Sequence, residues 1–291
     1  MNPHTMKLVS YNIQYCKGQD QQINPGRIAA ELNGADVIAL QEVDRYWPHT
    51  GMIDQVAALA ELLPDYYWVY GAGVDLHIDH SGPSEQRRRQ FGNMILSRSP
   101  IIYSRHHLLP KRGSVEALSI QRSAIEATID CGSERIRFYS VHTCHLSEVT
   151  RIPQIHQLLD IHRSAVHQGS PMCGNMKVTP YDKGVNHQDV AANAIMMGDF
   201  NCQPDSVEYQ LMVGPLSDYG GRISPMDGFV DAWTQVGHDR SDGPTSSVGD
   251  RAATLDYCFA STGLRHHIRR CQVDTAATGS DHLPLWTEIE I

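Results

Sequence analysis

Short apolar runs recur along the chain and predict a β-rich core. The runs at residues 7–12 and 36–42 are rich in β-favouring residues and end in Asn12 and Glu42. Similar runs occupy residues 66–70, 93–97, 124–129, 136–142, 194–199, 254–260 and 284–289, with turn-forming residues between them. The pattern therefore predicts a series of buried strands, several of which end in a polar residue.

Helical spacing of apolar residues separates some of these strands. Residues 52–63 follow this spacing as far as Pro64, residues 148–167 follow it after Glu148, and shorter helices are predicted at 27–32 and 206–212. Strands dominate the centre and helices flank it, which favours an α/β sandwich with two sheets facing each other. In such a fold the polar strand ends converge on one rim.

A stretch rich in Gly, Asn and Asp covers residues 169–193. Its length, between a helix and a strand, motivates the hypothesis that residues 169–192 are an insertion that shapes access to the rim. A passive surface excursion is the alternative interpretation.

The composition is that of an ordinary globular protein. A length of 291 residues without an internal repeat is compatible with a single domain over residues 1–291. The chain contains no stretch of about 20 apolar residues and no secretory leader, so we expect no membrane span and a cytoplasmic location. The seven cysteines contain no CxxC pair, which argues against a disulfide framework and favours small core residues.

The formal net charge of −9 opposes a broad grip on nucleic acid, because such binding depends on Lys and Arg neutralising phosphates. The one basic cluster is Arg87-Arg88-Arg89. It is either a solvated loop face or a phosphate contact.

Two compact motifs carry candidate chemistry. In Gly198-Asp199-Phe200-Asn201 a carboxylate and an amide follow an apolar run, although Asp and Asn also favour simple turns. In Ser280-Asp281-His282 an acid precedes an imidazole, with Asp281 suited to a hard cation and His282 to proton exchange. A buried structural histidine is the alternative for His282.

Three weaker signals accompany these motifs. Asp256 starts a strand, Glu42 ends another, and Asn12 ends the first. Each has a structural alternative, since such side chains also cap turns and satisfy backbone groups. Their order along the chain carries more information than any one of them.

That order resembles the endonuclease/exonuclease/phosphatase superfamily. It consists of Ser10-Tyr11-Asn12, Gln41-Glu42-Val43, His145-Leu146-Ser147, Gly198-Asp199-Phe200-Asn201, Leu255-Asp256-Tyr257 and Ser280-Asp281-His282. Supporting matches lie at residues 91–98, at Arg151 and Gln154, and at residues 228–233. The resemblance implies a four-layer sandwich of two mainly antiparallel sheets with outer helices and an active site at one rim.

The resemblance also implies roles for individual residues. Asn12, Glu42 and Asp281 match positions that hold or flank Mg²⁺ or Mn²⁺, and Asp199 with Asn201 matches those that position the attacking water and a phosphate oxygen. Asp256 and His282 match the paired acid and imidazole, while His145 and Asn93 are expected to bind the remaining oxygens. His142 competes with His145, which we prefer because it leads directly into the Arg151 and Gln154 pattern. Thr254 stands where relatives commonly have Arg.

The function that follows is metal-dependent hydrolysis of a phosphodiester or phosphomonoester by in-line attack of water. The superfamily acts on DNA, RNA, nucleotides, phospholipids and sugar phosphates. Within this range we expect a nuclease-like enzyme, on the resemblance to the family alone. No obligate protein partner is evident. The alternative from a different class is a catalytically silent module that binds phosphorylated partners.

Overall fold

Two six-stranded sheets face each other in the computed structural model, which describes residues 4–78, 87–174 and 190–291. The strands of the first sheet are β1 (Thr5–Asn12), β2 (Val37–Arg45), β3 (Tyr67–His77), β4 (Arg88–Ser97), β13 (Ile268–Val273) and β14 (Leu285–Glu290), in the order β13-β14-β1-β2-β4-β3. Those of the second sheet are β5 (Ile101–Leu108), β6 (Ser123–Asp130), β7 (Arg135–His142), β8 (Ala194–Asp199), β9 (Phe229–Asp231) and β12 (Asp256–Ser261), in the order β5-β6-β7-β8-β12-β9. A separate small ribbon pairs β10 (Ser246–Val248) with β11 (Arg251–Ala253).

The pairing within each sheet is mainly antiparallel, as expected. β1 pairs in parallel with β2, and β7 pairs in parallel with β8. The other pairings between the described strands are antiparallel. Each sheet is therefore mixed, with one parallel pair near its middle.

Helices flank the two sheets. They are α1 (Pro25–Glu31), α2 (Gln55–Leu62), α3 (Glu148–Gln168), α4 (Val207–Val213) and α5 (Ala232–Gln235). The side chains of Asn24, Asp54 and Ser206 cap α1, α2 and α4 by accepting a backbone N–H of the first turn. Single 3₁₀ turns lie at Gln14–Cys16, Pro48–Thr50, Arg240–Asp242 and Thr262–Leu264.

Three apolar cores separate the four layers. Alternate residues of one strand enter different cores: Leu8 packs between the sheets, whereas Val9 packs against the outer helices α1 and α2. The third core joins the second sheet to α3 and α4, with Val141 and Leu158 among its members. Because both faces of the central strands are buried, their sequences read as continuous apolar runs. The expected four-layer sandwich is confirmed.

The edge strands are where sequence reasoning fell short. β5 was not predicted, because its residues are at most half-buried and include Tyr103, Arg105, His106 and His107 in place of an apolar run. β9, β10, β11 and β13 were missed for a similar reason, being short or partly exposed. β3 and β4 also extend well beyond the predicted residues 66–70 and 93–97.

Two expectations from composition can be compared with the structure. All seven cysteines are free, and Cys16, Cys144, Cys202, Cys258 and Cys271 are buried. No helix of the described chain has the length and apolarity needed to cross a membrane. Most of the segment proposed as an insertion, residues 175–189, lies outside the described residues.

A buried arginine links the second sheet to helix α3. Arg137 is fully buried on β7, and its guanidinium donates hydrogen bonds to the Ala191 carbonyl, the Tyr139 hydroxyl and His162 Nδ1, the last at 3.0 Å. Burial, together with the positive charges of Arg137 and Arg163, lowers the pKa of His162 to about 4. His162 is therefore neutral in the folded protein at neutral pH.

We expect His162 to make the protein less stable as the medium becomes acidic. The unfolded chain takes up this proton near pH 6.5 and the folded chain only near pH 4, so stability is lost as the pH falls through that window. The loss amounts to roughly 3 kcal/mol at most. Urea unfolding of His162→Asn between pH 7 and pH 4 should show a shallower decline than wild type. The exposed His156, on the same helix, provides the control: His156→Asn should follow the wild-type curve, and equal slopes for all three proteins would contradict the assignment.

Candidate active site at the sheet rim

Strand pairing brings three of the candidate residues to one rim of the second sheet. Asp199 ends β8, and its Cα is paired with His142 at the end of β7 and with Asp256 at the start of β12. Asn12 ends β1 of the first sheet, and its amide Nδ2 donates a hydrogen bond to Asp199 Oδ2 at 3.0 Å. The rim therefore joins both sheets at Asp199.

Asp199 is the hub of the cluster. Its Oδ1 accepts the backbone N–H of Asn201 at 2.8 Å, and its Oδ2 lies 3.4 Å from His142 Nε2 and 3.8 Å from His282 Nε2. Burial raises the pKa of the carboxyl, and the positive charge of His282 opposes that rise. Asp199 is consequently a stronger base than an exposed aspartate when it is ionised.

His282 is held as a cation by a buried acid. Its Nδ1 donates to Asp256 Oδ2 at 2.8 Å, and Asp256 is fully buried. Burial alone would lower the pKa of His282, but Asp256, Asp199 and Asp281 together raise it to about 10. The imidazolium directs its second N–H, at Nε2, towards Asp199.

A second buried arginine orders two further histidines. Arg122 stands just before β6, and its guanidinium lies 3.0 Å from His142 Nδ1 and 3.0 Å from His145 Nδ1. Arginine only donates, so Nδ1 of each ring is the acceptor and Nε2 carries the proton of the neutral ring. Burial and Arg122 lower the pKa of His142 well below its usual value, and they lower that of His145 as well. His142 therefore presents a neutral Nε2–H to Asp199 and Glu42.

The structure places His142, and not His145, beside Asp199. His142 is the last residue of β7, and parallel pairing sets it beside Asp199. His145 follows three residues later, is exposed, and contacts the cluster through Arg122. Arg122 itself was missed by sequence reasoning. A lone arginine just before the apolar run at 124–129 was the one available signal.

Glu42 reaches the rim through an irregularity in β2. The pairing of β2 with β4 shifts register between Leu40 and Val43, and Glu42 has a φ of 58°. A non-glycine residue in this left-handed region is strained, typically at a functional site. Its carboxylate is one fifth exposed and lies 3.9 Å from His142 Nε2. Burial raises the pKa of Glu42, although Arg122 and His282 lower it.

Hydrogen bonds from Gln14 hold Asn12 and Asp281 close to each other. Gln14 donates its backbone N–H to Asn12 Oδ1 at 3.1 Å and its side-chain amide to Asp281 Oδ2 at 2.7 Å. The Ser280 hydroxyl donates to the Asn12 carbonyl at 2.7 Å, which holds the 280–282 loop against β1. Both predicted metal-site partners of Glu42 thus lie at this rim.

The donor set around Glu42 fits a hard divalent cation. Asn12 lies close enough to Glu42 to lower the pKa of its carboxyl, and the negative charge of Asp281 raises that pKa. Among residues 4–78, 87–174 and 190–291, no three His, Cys, Asp or Glu side chains form a group that could hold a metal ion. Mg²⁺ typically binds one or two carboxylates and keeps several waters, so one carboxylate with oxygen donors nearby is a suitable set.

Asn201 and Asn93, the other two asparagines predicted at the site, make different contacts. Asn201 has a φ of 50° and donates its Nδ2 to the Thr143 carbonyl at 3.1 Å, so it is fixed beside Asp199. Asn93 is buried, and its Nδ2 donates to the carbonyls of Ser123 and Ser140, at 2.7 and 3.2 Å. Because both bonds cross from the first sheet to the second, Asn93 holds the sheets together. That Asn93 binds substrate stays a prediction.

Arg88 and Arg89 of the basic cluster begin β4, and Arg87 directly precedes the strand. Arg88 pairs with Asp75 at 2.5 Å, while Arg87 and Arg89 lie over the rings of Tyr46 and Trp47. All three cations contact neighbouring side chains.

The chain is similar to known proteins in both sequence and fold. Residues 9–282 match the sequence profile of the Endonuclease/Exonuclease/phosphatase family. No curated protein sequence matches at a significant level.

Solved structures show the same fold. A protein of this family from Beutenbergia cavernae DSM 12333 is 22% identical and superposes with a TM-score of 0.68, covering 99% of this chain and 72% of its own. One from Leptotrichia buccalis is 21% identical with a TM-score of 0.64, covering 98% and 100%. A mannosyl-6-phosphatase from Bacteroides thetaiotaomicron is 16% identical with a TM-score of 0.62, covering 98% and 99%.

We expect the backbone strain at Glu42 to be visible in stability. Glu42→Asn and Glu42→Val both remove the carboxylate, but Asn tolerates a positive φ and a β-branched residue does not. Urea unfolding without added metal should find the Val variant less stable by about 1–3 kcal/mol. The same pair of substitutions at Lys7, an exposed residue of β1, should not disfavour Val. Equal stability of the two Glu42 variants would show that the residue is unstrained.

Proposed function

The chain belongs to the endonuclease/exonuclease/phosphatase family, and we propose that it hydrolyses a phosphoester by in-line attack of water with a divalent metal ion bound. Members of this family are hydrolytic phosphoesterases, which supports general phosphoesterase activity. The family match begins at Val9 and ends at His282, and the candidate residues span nearly the same range. We therefore treat residues 1–291 as one catalytic domain.

The observation that carries the proposal is the set of groups around Asp199. A buried carboxylate with a raised pKa is suited to accept a proton from the attacking water. Asn12 and the Asn201 backbone N–H occupy one lone pair on each oxygen and so fix the direction in which the carboxylate faces. The water is thereby positioned as well as activated.

His282 is proposed to stabilise the charge that builds up on the phosphoryl group. Its positive charge is maintained by Asp256, and its Nε2–H faces the same space as Asp199. A donor held in place before the reaction costs no reorganisation in the transition state. Asp256 acts through His282, by orienting the ring and keeping it protonated.

His142 is proposed to donate its neutral Nε2–H to another phosphoryl oxygen. Arg122 acts as a positioning residue, because its hydrogen bond to Nδ1 selects this tautomer. Asn201 is proposed to bind a further oxygen, as the family resemblance implies. His145 is proposed to lie at the edge of the site, where Arg122 holds it in the same tautomer.

A divalent ion, Mg²⁺ or Mn²⁺, would be held by Glu42 with Asn12 and Asp281 nearby. When bound, it would offset negative charge on the phosphoryl and leaving oxygens. We propose that the positive φ of Glu42 directs its carboxylate towards this ion.

The substrate is proposed to be a small phosphodiester or phosphomonoester. The net charge of −9 disfavours a long nucleic acid duplex, and the cations of Arg87, Arg88 and Arg89 already contact Tyr46, Asp75 and Trp47. A nuclease, a nucleotide or sugar-phosphate esterase and a phospholipid esterase remain the alternatives. A silent phosphate-binding module is disfavoured because base, imidazolium and acid all occur together at the rim.

We expect Asp199→Asn and His282→Ala to lower turnover of a generic phosphodiester, measured with Mg²⁺ or Mn²⁺, by at least about a hundredfold. Chelation of the metal should abolish wild-type turnover. Circular dichroism should show that both variants stay folded. Asp205→Asn, at an exposed position six residues after Asp199 in the sequence, is the matched control and should retain activity. Full metal-dependent activity in either site variant would refute the mechanism, and binding without turnover in wild type would indicate the silent module.

The two histidines beside Arg122 make separate predictions. His142→Asn should lower kcat by about a hundredfold, because its Nε2–H faces the reacting group, whereas His145→Asn should cost less than about fivefold. Steady-state kinetics on the same diester would measure both. A greater loss in His145→Asn than in His142→Asn would indicate that His145 is the histidine that binds the phosphate oxygens.

A further inference from the structure

A cavity of about 890 Å³ opens beside Glu42. Glu42 and Phe91 form part of its lining, whereas Asp199, Asn201, Asp256 and His282 do not. Phe91 also packs against Arg122 and His142, with ring centroids 6.3 Å apart in the second case. One end of the cavity therefore lies at the catalytic rim, and the rest extends away from the proton-transfer groups.

The walls of the cavity include fixed aromatic rings. The Trp47 indole donates its Nε1–H to the Gln90 carbonyl at 2.7 Å and lies under the Arg89 guanidinium. Tyr15 and His49 pack edge to face, with centroids 4.7 Å apart. Rings that are already fixed lose little freedom when another flat ring packs against them.

A buried carboxyl with one unsatisfied oxygen lines the same cavity. Asp44 is fully buried, and its Oδ1 has no hydrogen-bond partner within the described chain. His49 Nε2 lies 2.8 Å from Oδ2, as an ion-pair contact. Buried polar groups in native proteins are nearly always hydrogen-bonded, so an unsatisfied acceptor that lines a cavity indicates a donor on a ligand.

Charged groups on the lining argue against a long alkyl chain. Lys17, Lys111 and Asp75 line the cavity together with Asp44. An alkyl chain would remove water from these groups without offering hydrogen bonds in return. A flat ring with a polar edge can contact the aromatic walls and still satisfy Asp44.

We propose that this cavity binds the organic group esterified to the phosphate, and that this group is an aromatic or heteroaromatic ring carrying an amino or hydroxyl donor for Asp44. The proposal rests on the proposed function only in that a phosphate group binds at the rim. The ring and its donor group are inferred from the residues that line the cavity.

Three phosphates that differ stepwise separate the two assigned features. Adenosine 5′-monophosphate has the ring and an amino donor, purine riboside 5′-monophosphate has the ring without the amino group, and ribose 5-phosphate has neither. Calorimetry on the full-length Asp199→Asn protein with Mg²⁺ measures their binding without turnover. The adenosine compound should bind between about five- and a hundredfold more tightly than ribose 5-phosphate, the range for one base–aromatic stack. It should bind at least about fivefold more tightly than the purine riboside compound, as expected for one additional hydrogen bond.

Variants assign each preference to its residue. Trp47→Leu should reduce the advantage of adenosine monophosphate over ribose 5-phosphate, and Asp44→Asn should reduce its advantage over the purine riboside compound. Trp68→Leu, at a tryptophan that is 46% exposed on β3 and does not line the cavity, should change neither.

Equal affinities for the three phosphates would overturn the proposal, and so would tighter binding of octyl phosphate than of adenosine monophosphate. Equal affinities for the two ring compounds would overturn the role of Asp44. Hydrolysis of the generic diester is measured separately. Selective binding without hydrolysis would therefore reject the enzymatic function and support the cavity assignment. Hydrolysis without selective binding would support the enzymatic function and reject the cavity assignment.

Discussion

Burial of the Asp199 carboxylate is the constraint on which the rest of the site depends. A buried negative charge is costly unless donors and a positive charge surround it. Asn12 and the Asn201 backbone provide the donors, and His282 provides the charge. His282 stays protonated because Asp256 is buried against it. Groups from both sheets thus meet at one carboxylate, and the rim is held together by the same charges that its chemistry requires.

The layered architecture determines where such a cluster can form. Both faces of the central strands are packed into apolar cores, so polar side chains with a function are confined to strand ends. Asn93 and Ser140 bond across the sheets just behind the rim, through Nδ2 of Asn93 to the Ser140 carbonyl and through the Ser140 hydroxyl to the Leu40 carbonyl. These bonds keep the two sheets in register where Asn12 must reach Asp199. The positive φ of Glu42 adds local strain that the packed layers can maintain.

Two imidazoles in the same cluster have opposite charge states, and their hydrogen-bond partners explain the difference. Nδ1 of His282 donates to an acid, which raises its pKa, whereas Nδ1 of His142 accepts from Arg122, which together with burial lowers its pKa. One ring therefore brings a positive charge and the other a neutral donor to the space in front of Asp199. The adjoining cavity, with Phe91 against His142, connects this space to the groups that we propose select the substrate.

The central strands and the polar residues that end them can be predicted from the sequence, because continuous apolar runs and their end points are local properties of the chain. The order of motifs from Asn12 to His282 likewise indicates the family. Features that depend on the lateral pairing of strands appear only in the folded chain. Register set His142, not His145, beside Asp199, cross-sheet bonds engaged Asn93, and Arg122 was brought to two histidines distant from it in sequence. Edge strands such as β5 are also recognised only in the folded structure, since a strand with an exposed face has no continuous apolar run.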